Sequence, residues 1–138
     1  MIHVGMNIKN KSKLMEEAYR VTKGGGTFGV YDVMLTDDKE LLYPLPWAET
    51  YESNAISSLA EYKSSLLEAG FKVEYEEQRT EFAIQFFNKM SAAMSADSGP
   101  RPLGLHLLMG PSSKDKVANV FQLIKAGIIA PVILVATK

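Results

Sequence analysis

Three consecutive glycines, Gly24-Gly25-Gly26, stand between two runs of opposite character, and no other feature constrains the fold as strongly. Before them Leu14, Met15, Ala18 and Val21 recur with helical spacing. After them Thr27 to Met34 (TFGVYDVM) is β-rich and apolar on both faces until Asp32, as a strand covered by helices on each side would be. The glycines stop the helix where a left-handed backbone is needed, so the unit reads helix, tight turn, strand. Gly24 to Gly29 also satisfies G-x-G-x-x-G by letter, but a dinucleotide fingerprint follows a strand and opens a helix. Here the order is reversed, and the motif is read as structural.

The rest of the chain continues the alternation. Met1 to Ile8 is a short apolar run read as a buried strand, followed by the polar stretch Lys9 to Ser12. Leu35 to Tyr51 is a loop holding Tyr43-Pro44-Leu45-Pro46-Trp47, too proline-rich for a helix. Ser53 or Asn54 is placed to cap a helix in which Ile56, Leu59, Leu66 and Leu67 share a face, closed by Gly70. Phe71 to Glu76 alternates apolar and charged residues, the pattern of a strand near a sheet edge. Phe82, Phe86, Met90 and Met94, with Ala83 and Phe87 beside them, form a wide apolar helical stripe, and Ala96 to Pro102 breaks the pattern. Leu103 to Met109 is an apolar run whose period does not choose between helix and strand. Ser112 with Asp115 resembles a capping box, opening a helix with Val117, Val120, Phe121 and Ile124 that Gly127 ends. Ile128 to Thr137 is a strand in which Pro131, lacking an N–H, should delay pairing until the residues after it. The order β-α-β-α-β-α-α-β places the chain in the α/β class, as a single domain over residues 1–138 with a mostly parallel sheet.

Composition narrows the function classes. Fifteen Lys+Arg against sixteen Asp+Glu give a formal charge of −1, so no global field favours nucleic acid or an anionic membrane. The absence of cysteine removes disulfides, thiolate nucleophiles and Cys-based zinc sites, which suits the cytoplasm. His3 and His106 stand apart with no ligand cluster, so no metal site is expected, and no serine sits in a G-x-S-x-G elbow. Asp32 is the polar candidate near the end of a strand, beyond which ligands of open α/β sheets bind, or else a solvated strand terminus, and Asn7 holds the equivalent place on the first run. Trp47 reads equally as a ligand wall or a lid over the core. The Phe82/Phe86/Met90 stripe reads as core before it reads as pocket.

Taken together, HVGMNI, RVTKGGGTFGVYDVM, YPLPWA and EYKSSLLEAGFKV resemble the second half of class I S-adenosylmethionine-dependent methyltransferases, closest to the ubiquinone/menaquinone-biosynthesis type. The resemblance rests on the units Arg20 to Val33 and Leu66 to Val73 in their order and spacing. It implies a partial Rossmann-like methyltransferase sheet with helices on both faces. Met1 to Ile8 would be strand four, Thr27 to Met34 strand five, Phe71 to Arg79 strand six and Val132 to Thr137 an antiparallel strand seven, with residues 82–127 a helical insertion before it. It implies S-adenosylmethionine as cofactor, with His3, Met6 and Asn7 beside it. Asp32, Trp47, Phe86 and His106 are the candidates for contact with a small-metabolite acceptor, His106 reading first as a hydrogen-bonded core histidine.

These 138 residues contain no counterpart of the family's glycine-rich loop or its ribose-binding acid, so the resemblance implies a C-terminal fragment, inactive alone. A first strand with an unpaired outer edge implies a homodimer through that strand, or an N-terminal partner half. The alternative is a non-catalytic, dimeric small-ligand-binding or regulatory module, with the Trp47 loop and the Phe/Met helix as an apolar pocket.

Overall fold

The computed structural model describes residues 1–96, 107 and 109–138. His106, most of Leu103 to Met109, and the Ala96 to Pro102 break after its first residue lie outside the described residues. The described strands are β1 (Thr27–Leu35), β2 (Lys72–Gln78) and β3 (Ile129–Thr137), and the described helices are α1 (Lys11–Val21), α2 (Leu59–Glu68), α3 (Thr80–Ala96) and α4 (Ser113–Lys125). The last strand lies in the middle, in the order β1-β3-β2, and both of its pairings are antiparallel. β1 and β2 therefore run in the same direction without touching. The antiparallel last strand is as the resemblance implies; the mostly parallel sheet read from the element order is not found among the described strands, because the reversed β3 lies between β1 and β2 and makes both ladders antiparallel.

Thr27 faces Thr137 at one end of the β1–β3 ladder and Leu35 faces Ile129 at the other. On one side of β1, Val30 and Met34 join Leu134, Ala130 and Val132 in a core closed by Met15 of α1 and by Tyr62 and Leu66 of α2. On the opposite side Val33 and Ile129 pack with Met6, Leu45, Ala83 of α3, and Val120, Leu123 and Ile124 of α4. The two-residue period of the strands thus feeds two cores, one under each helix pair.

Met1 to His3 runs parallel to β1 along its free side: the Met1 nitrogen donates to Gly29 O (2.7 Å), Tyr31 N to Met1 O (2.9 Å) and His3 N to Tyr31 O (2.9 Å). The strand expected over Met1 to Ile8 stops there. His3 takes φ 51°, and Gly5–Asn7 coils into a 3-10 turn. At this departure two successive backbone amides, of Val4 and Gly5, donate to the Asp32 carboxylate, described below.

Other boundaries move for local reasons. The helix expected from Ser53 or Asn54 begins at Leu59, because the chain before it is held at β1, where Leu35 N bonds Ser57 O at 3.0 Å. Ser58 is the cap, its hydroxyl accepting from Glu61 N at 3.2 Å. Leu66 is then fully buried while Leu67, placed on the same face in the sequence reading, is 57% exposed. Ser112 makes no side-chain cap bond. Pro131 pairs inside β3, opposite Val33. Its carbonyl accepts from Arg79 N (2.8 Å), so its missing N–H points past Gln78, the last paired residue of β2, and the ladder loses nothing. On α3, Ala83 is buried and Phe87 packs against the core, whereas Phe82 and Phe86 are exposed. The two central phenylalanines of the expected core stripe thus face outward.

β2 is an edge strand, as its alternation predicts. It carries a bulge between Val73 and Tyr75 and the charged Lys72, Glu74 and Glu76, features that discourage further strand addition. Across the chain's own termini, Gly25 N bonds Lys138 O (2.9 Å) and Lys138 N bonds Gly26 O (3.0 Å), so the turn after α1 is tied to the end of β3. Gly25 has φ 72°, which explains a glycine there. α1 ends and β1 begins around these glycines, so the G-x-G-x-x-G letters do sit in the reversed context.

Candidate functional site

Asp32 shares a strand face with Val30 and Met34, which puts a carboxylate inside the first core, with no exposed surface. A charge there is tolerable only with full hydrogen bonding. Oδ1 accepts from Val4 N at 2.9 Å, Oδ2 from Gly5 N at 2.9 Å, and the Tyr62 hydroxyl donates to Oδ2 at 3.1 Å. Two consecutive amides converging on one anion form a backbone nest, a geometry that needs alternating backbone hands. His3 supplies the left-handed residue (φ 51°), with Val4 following at φ −120°, ψ −42°. Gly5 is required by space, since a Cβ there would stand 2.2 Å from the Tyr62 oxygen and 2.4 Å from Asp32 Oδ2.

Lys11, the first residue of α1, holds the turn from its other end. It is 2% exposed, and its ammonium donates to Ile8 O (2.5 Å) and Ala55 O (2.7 Å), over the Tyr62 ring at 5.5 Å. Burial lowers its pKa, and the nearby Glu61 and Asp32 charges oppose that fall only in part. The Tyr62 hydroxyl moves the other way: burial, the Asp32 charge and the bond to it all push its pKa far above that of a free phenol. Lys11 thus links the Gly5–Asn7 turn to the segment before α2, and Asp32 and Tyr62 link it to β1 and α2.

The loop between β1 and α2 forms the neighbouring wall. Trp47 is half-buried against the second core, and its indole N–H donates to Asn54 Oδ1 at 2.9 Å. α4 grips this loop from outside: Asn119 Nδ2 donates to Pro44 O (3.0 Å), and the buried Lys116 ammonium pairs with Glu49 and donates to Met109 O (3.0 Å). The Tyr43 hydroxyl is buried, and burial raises its pKa against the opposing influence of the nearby Asn54 side chain. An open cleft follows the same end of the sheet, lined by Leu35, Thr36, Asp37, Ser58, Lys63 and Gln78 among others.

The structure therefore brings His3, Met6, Asn7 and Asp32 into one connected turn. Within it His3 is exposed and rests its ring on Tyr31 (5.1 Å between centroids), Asn7 is exposed, and Met6 is 2% exposed, filling the second core. Trp47 shares that core with Met6. Phe86 stands apart on the outer side of α3, touching Phe87 edge-on at 5.9 Å. The reading from sequence did not single out Gly5, Tyr62 and Lys11; Gly5 inside an apolar run was the one signal that could have marked them.

No protein-family model and no curated protein sequence matches the chain. Solved structures do. A protein from Galdieria sulphuraria described as a sarcosine dimethylglycine methyltransferase superposes with a TM-score of 0.74 at 19% identity, covering 99% of this chain and 51% of its own. Phosphoethanolamine N-methyltransferase 2 of Haemonchus contortus, crystallised with S-adenosyl-L-methionine, gives 0.73 at 14% identity, covering 99% of this chain and 32% of its own. Geranyl diphosphate C-methyltransferase of Streptomyces coelicolor A3(2), crystallised with S-adenosyl-L-homocysteine, gives 0.67 at 12% identity, covering 99% and 45%. The fold is that of part of a Rossmann-like methyltransferase. The chain spans about half the length of such structures, or less.

The residues described do not by themselves fit S-adenosylmethionine. His3 and Asn7 offer polar atoms on an open edge, Met6 is turned inward, and neither the open cleft at Leu35, Ser58 and Lys63 nor the one at Glu77 to Phe82 is lined by any residue of 1–7. Among the described residues no acidic or histidine cluster could hold a metal ion, and no helix is long and apolar enough to cross a membrane.

Proposed function

We propose that this chain is the acceptor-side half of a methyltransferase acting on a small metabolite, and that these 138 residues alone neither hold the methyl donor nor catalyse transfer. The single observation that carries the reading is the Met1–Asn7 segment. It lies parallel to β1, leaves the sheet at His3, and is locked by Asp32 at the end of the sheet where ligands of such folds bind. In this reading His3 and Asn7 face the donor from one side and Met6 supports them from the core. Trp47 belongs to the acceptor wall, from which Phe86 stands apart on the outer side of α3. Asp32 supports the wall from behind, since all its exposed surface is gone.

The outer edge of Met1–His3 completes the reading. Met1 and His3 turn their backbone groups toward Tyr31, so Ile2 points its N–H and C=O outward, and its side chain is 67% exposed. A donor-holding half extends the sheet from this edge; without it, a second copy of the chain pairs there. The cysteine-free composition is compatible with a cytoplasmic location.

Reading the DNA around the codon for Met1 tests the proposal. A strand, glycine-rich loop and helix encoded in frame upstream, or in an adjacent gene, supports it. A ligand bound tightly by this chain without any methyl donor would favour the regulatory-module reading instead.

A further inference from the structure

We propose that Asp32 is the positioning residue of the donor-facing turn: its carboxylate, through the Val4 and Gly5 amides, sets the backbone path that presents His3 and Asn7 at the sheet edge. This rests on the function proposed above. The buried charge has no other evident task, for its three bonds go to two amides of this segment and to Tyr62, which in turn occupies the space a Gly5 side chain would need. Lys11 at Ile8 O, Met6 in the second core and the bonds Asn7 N to Val4 O and Ile8 N to Gly5 O hold the far end of the segment, but none of them fixes the bend between His3 and Gly5. Its ladder to β1 ends at His3, where a non-glycine residue adopts a left-handed backbone, and the Asn7 side-chain bond to Val4 O is long and exposed at 3.4 Å. An anion at the focus of two amides offsets that strain, and it re-aims the chain from extended to 3-10 within two residues.

The test is nuclear magnetic resonance of the whole chain, which uses no methyl donor and so stands or falls apart from the functional reading. In the unsubstituted protein, scalar couplings across the hydrogen bonds should link the Val4 and Gly5 amides to the Asp32 carboxyl carbon. Asp32→Asn can serve only one of the two amides and turns its own N–H toward the other. Exchange at one or both of these amides should therefore quicken by at least about tenfold, the scale of a lost charge-assisted bond. The contact between the His3 and Tyr31 rings should weaken with it, while Val30 and Leu134 in the sheet keep their protection. Tyr62→Phe leaves both amide bonds in place and should alter exchange at Val4 and Gly5 by less than about threefold, since it removes only the third partner. Absent couplings would overturn the proposal. Loss of protection in step across turn and sheet in Asp32→Asn, or a Tyr62→Phe effect as large as that of Asp32→Asn, would also overturn it. If Asp32→Asn does not fold, the couplings and the Tyr62→Phe comparison decide.

Discussion

Gly5 and Tyr62 approach so closely that a methyl group cannot fit between them: a Cβ on Gly5 would lie 2.2 Å from the Tyr62 oxygen. Gly5→Ala must displace the hydroxyl from Asp32 or push the turn off the sheet. Overpacking of this kind costs about 1 to 3 kcal/mol, and we expect a loss in that range by urea denaturation. Substitution to alanine without loss would show that the turn rearranges freely.

Tyr62→Phe keeps the ring in the first core and deletes one bond to an ionised group. A destabilisation of about 1.5 to 3 kcal/mol is expected, to be read from the denaturation midpoint at neutral pH. The hydroxyl also sets an alkaline limit. Its pKa in the folded protein is raised, so its contribution is complete below the unfolded phenol value near 10 and is lost progressively as pH rises above it. Tyr62→Phe should therefore close part of its stability deficit above pH 10.

Lys11 works in the opposite sense. Its folded-state pKa lies below the unfolded value of 10.5, so between the two the unfolded chain binds more protons and stability rises with pH. Relative to Lys11→Met, the unsubstituted protein should gain stability as pH approaches 10.5. At neutral pH Lys11→Met leaves Ile8 O and Ala55 O without their donor, and we expect it to be less stable by about 1 to 3 kcal/mol. A parallel pair of pH profiles would contradict the burial of the ammonium.

The self-pairing proposal is tested at Ile2. At micromolar concentration the chain alone should sediment as a dimer, and Ile2→Pro, which removes the outward N–H while Met1 and His3 keep their bonds to Tyr31, should shift it to monomer. A monomeric unsubstituted chain would remove the self-pairing proposal and leave the partner half as the occupant of that edge.

What the sequence made legible followed from strong local signals. The helix–glycine–strand unit, the edge character of β2 and the reversed setting of the G-x-G-x-x-G letters all depend on residues near one another in the chain. The misplaced features depend on partners far away. Met1 to Ile8 looks like a continuous strand because nothing within it announces that Asp32, on the next strand, will take the Val4 and Gly5 amides. The start of α2 moved because Ser57 is claimed by Leu35. Pro131 was acceptable within β3 because β2 ends opposite it, a fact of register invisible in composition. In the site, Asp32 and Asn7 stood out in the sequence as polar residues near the ends of apolar runs, but Asp32 lies inside the β1 ladder and Asn7 in a 3-10 turn beyond the end of its strand. Tyr62 and Lys11 did not stand out, since a tyrosine and a lysine at helical spacing look like ordinary face residues until the turn is folded against them.

The central claim is that the chain has a methyltransferase half-fold without a donor site of its own, and calorimetry with S-adenosylmethionine tests it most directly. Titrated into the 138-residue chain, the donor should give no saturable heat, and saturable binding should appear once a half carrying the glycine-rich loop is joined to it. Micromolar binding by the chain alone would contradict the account.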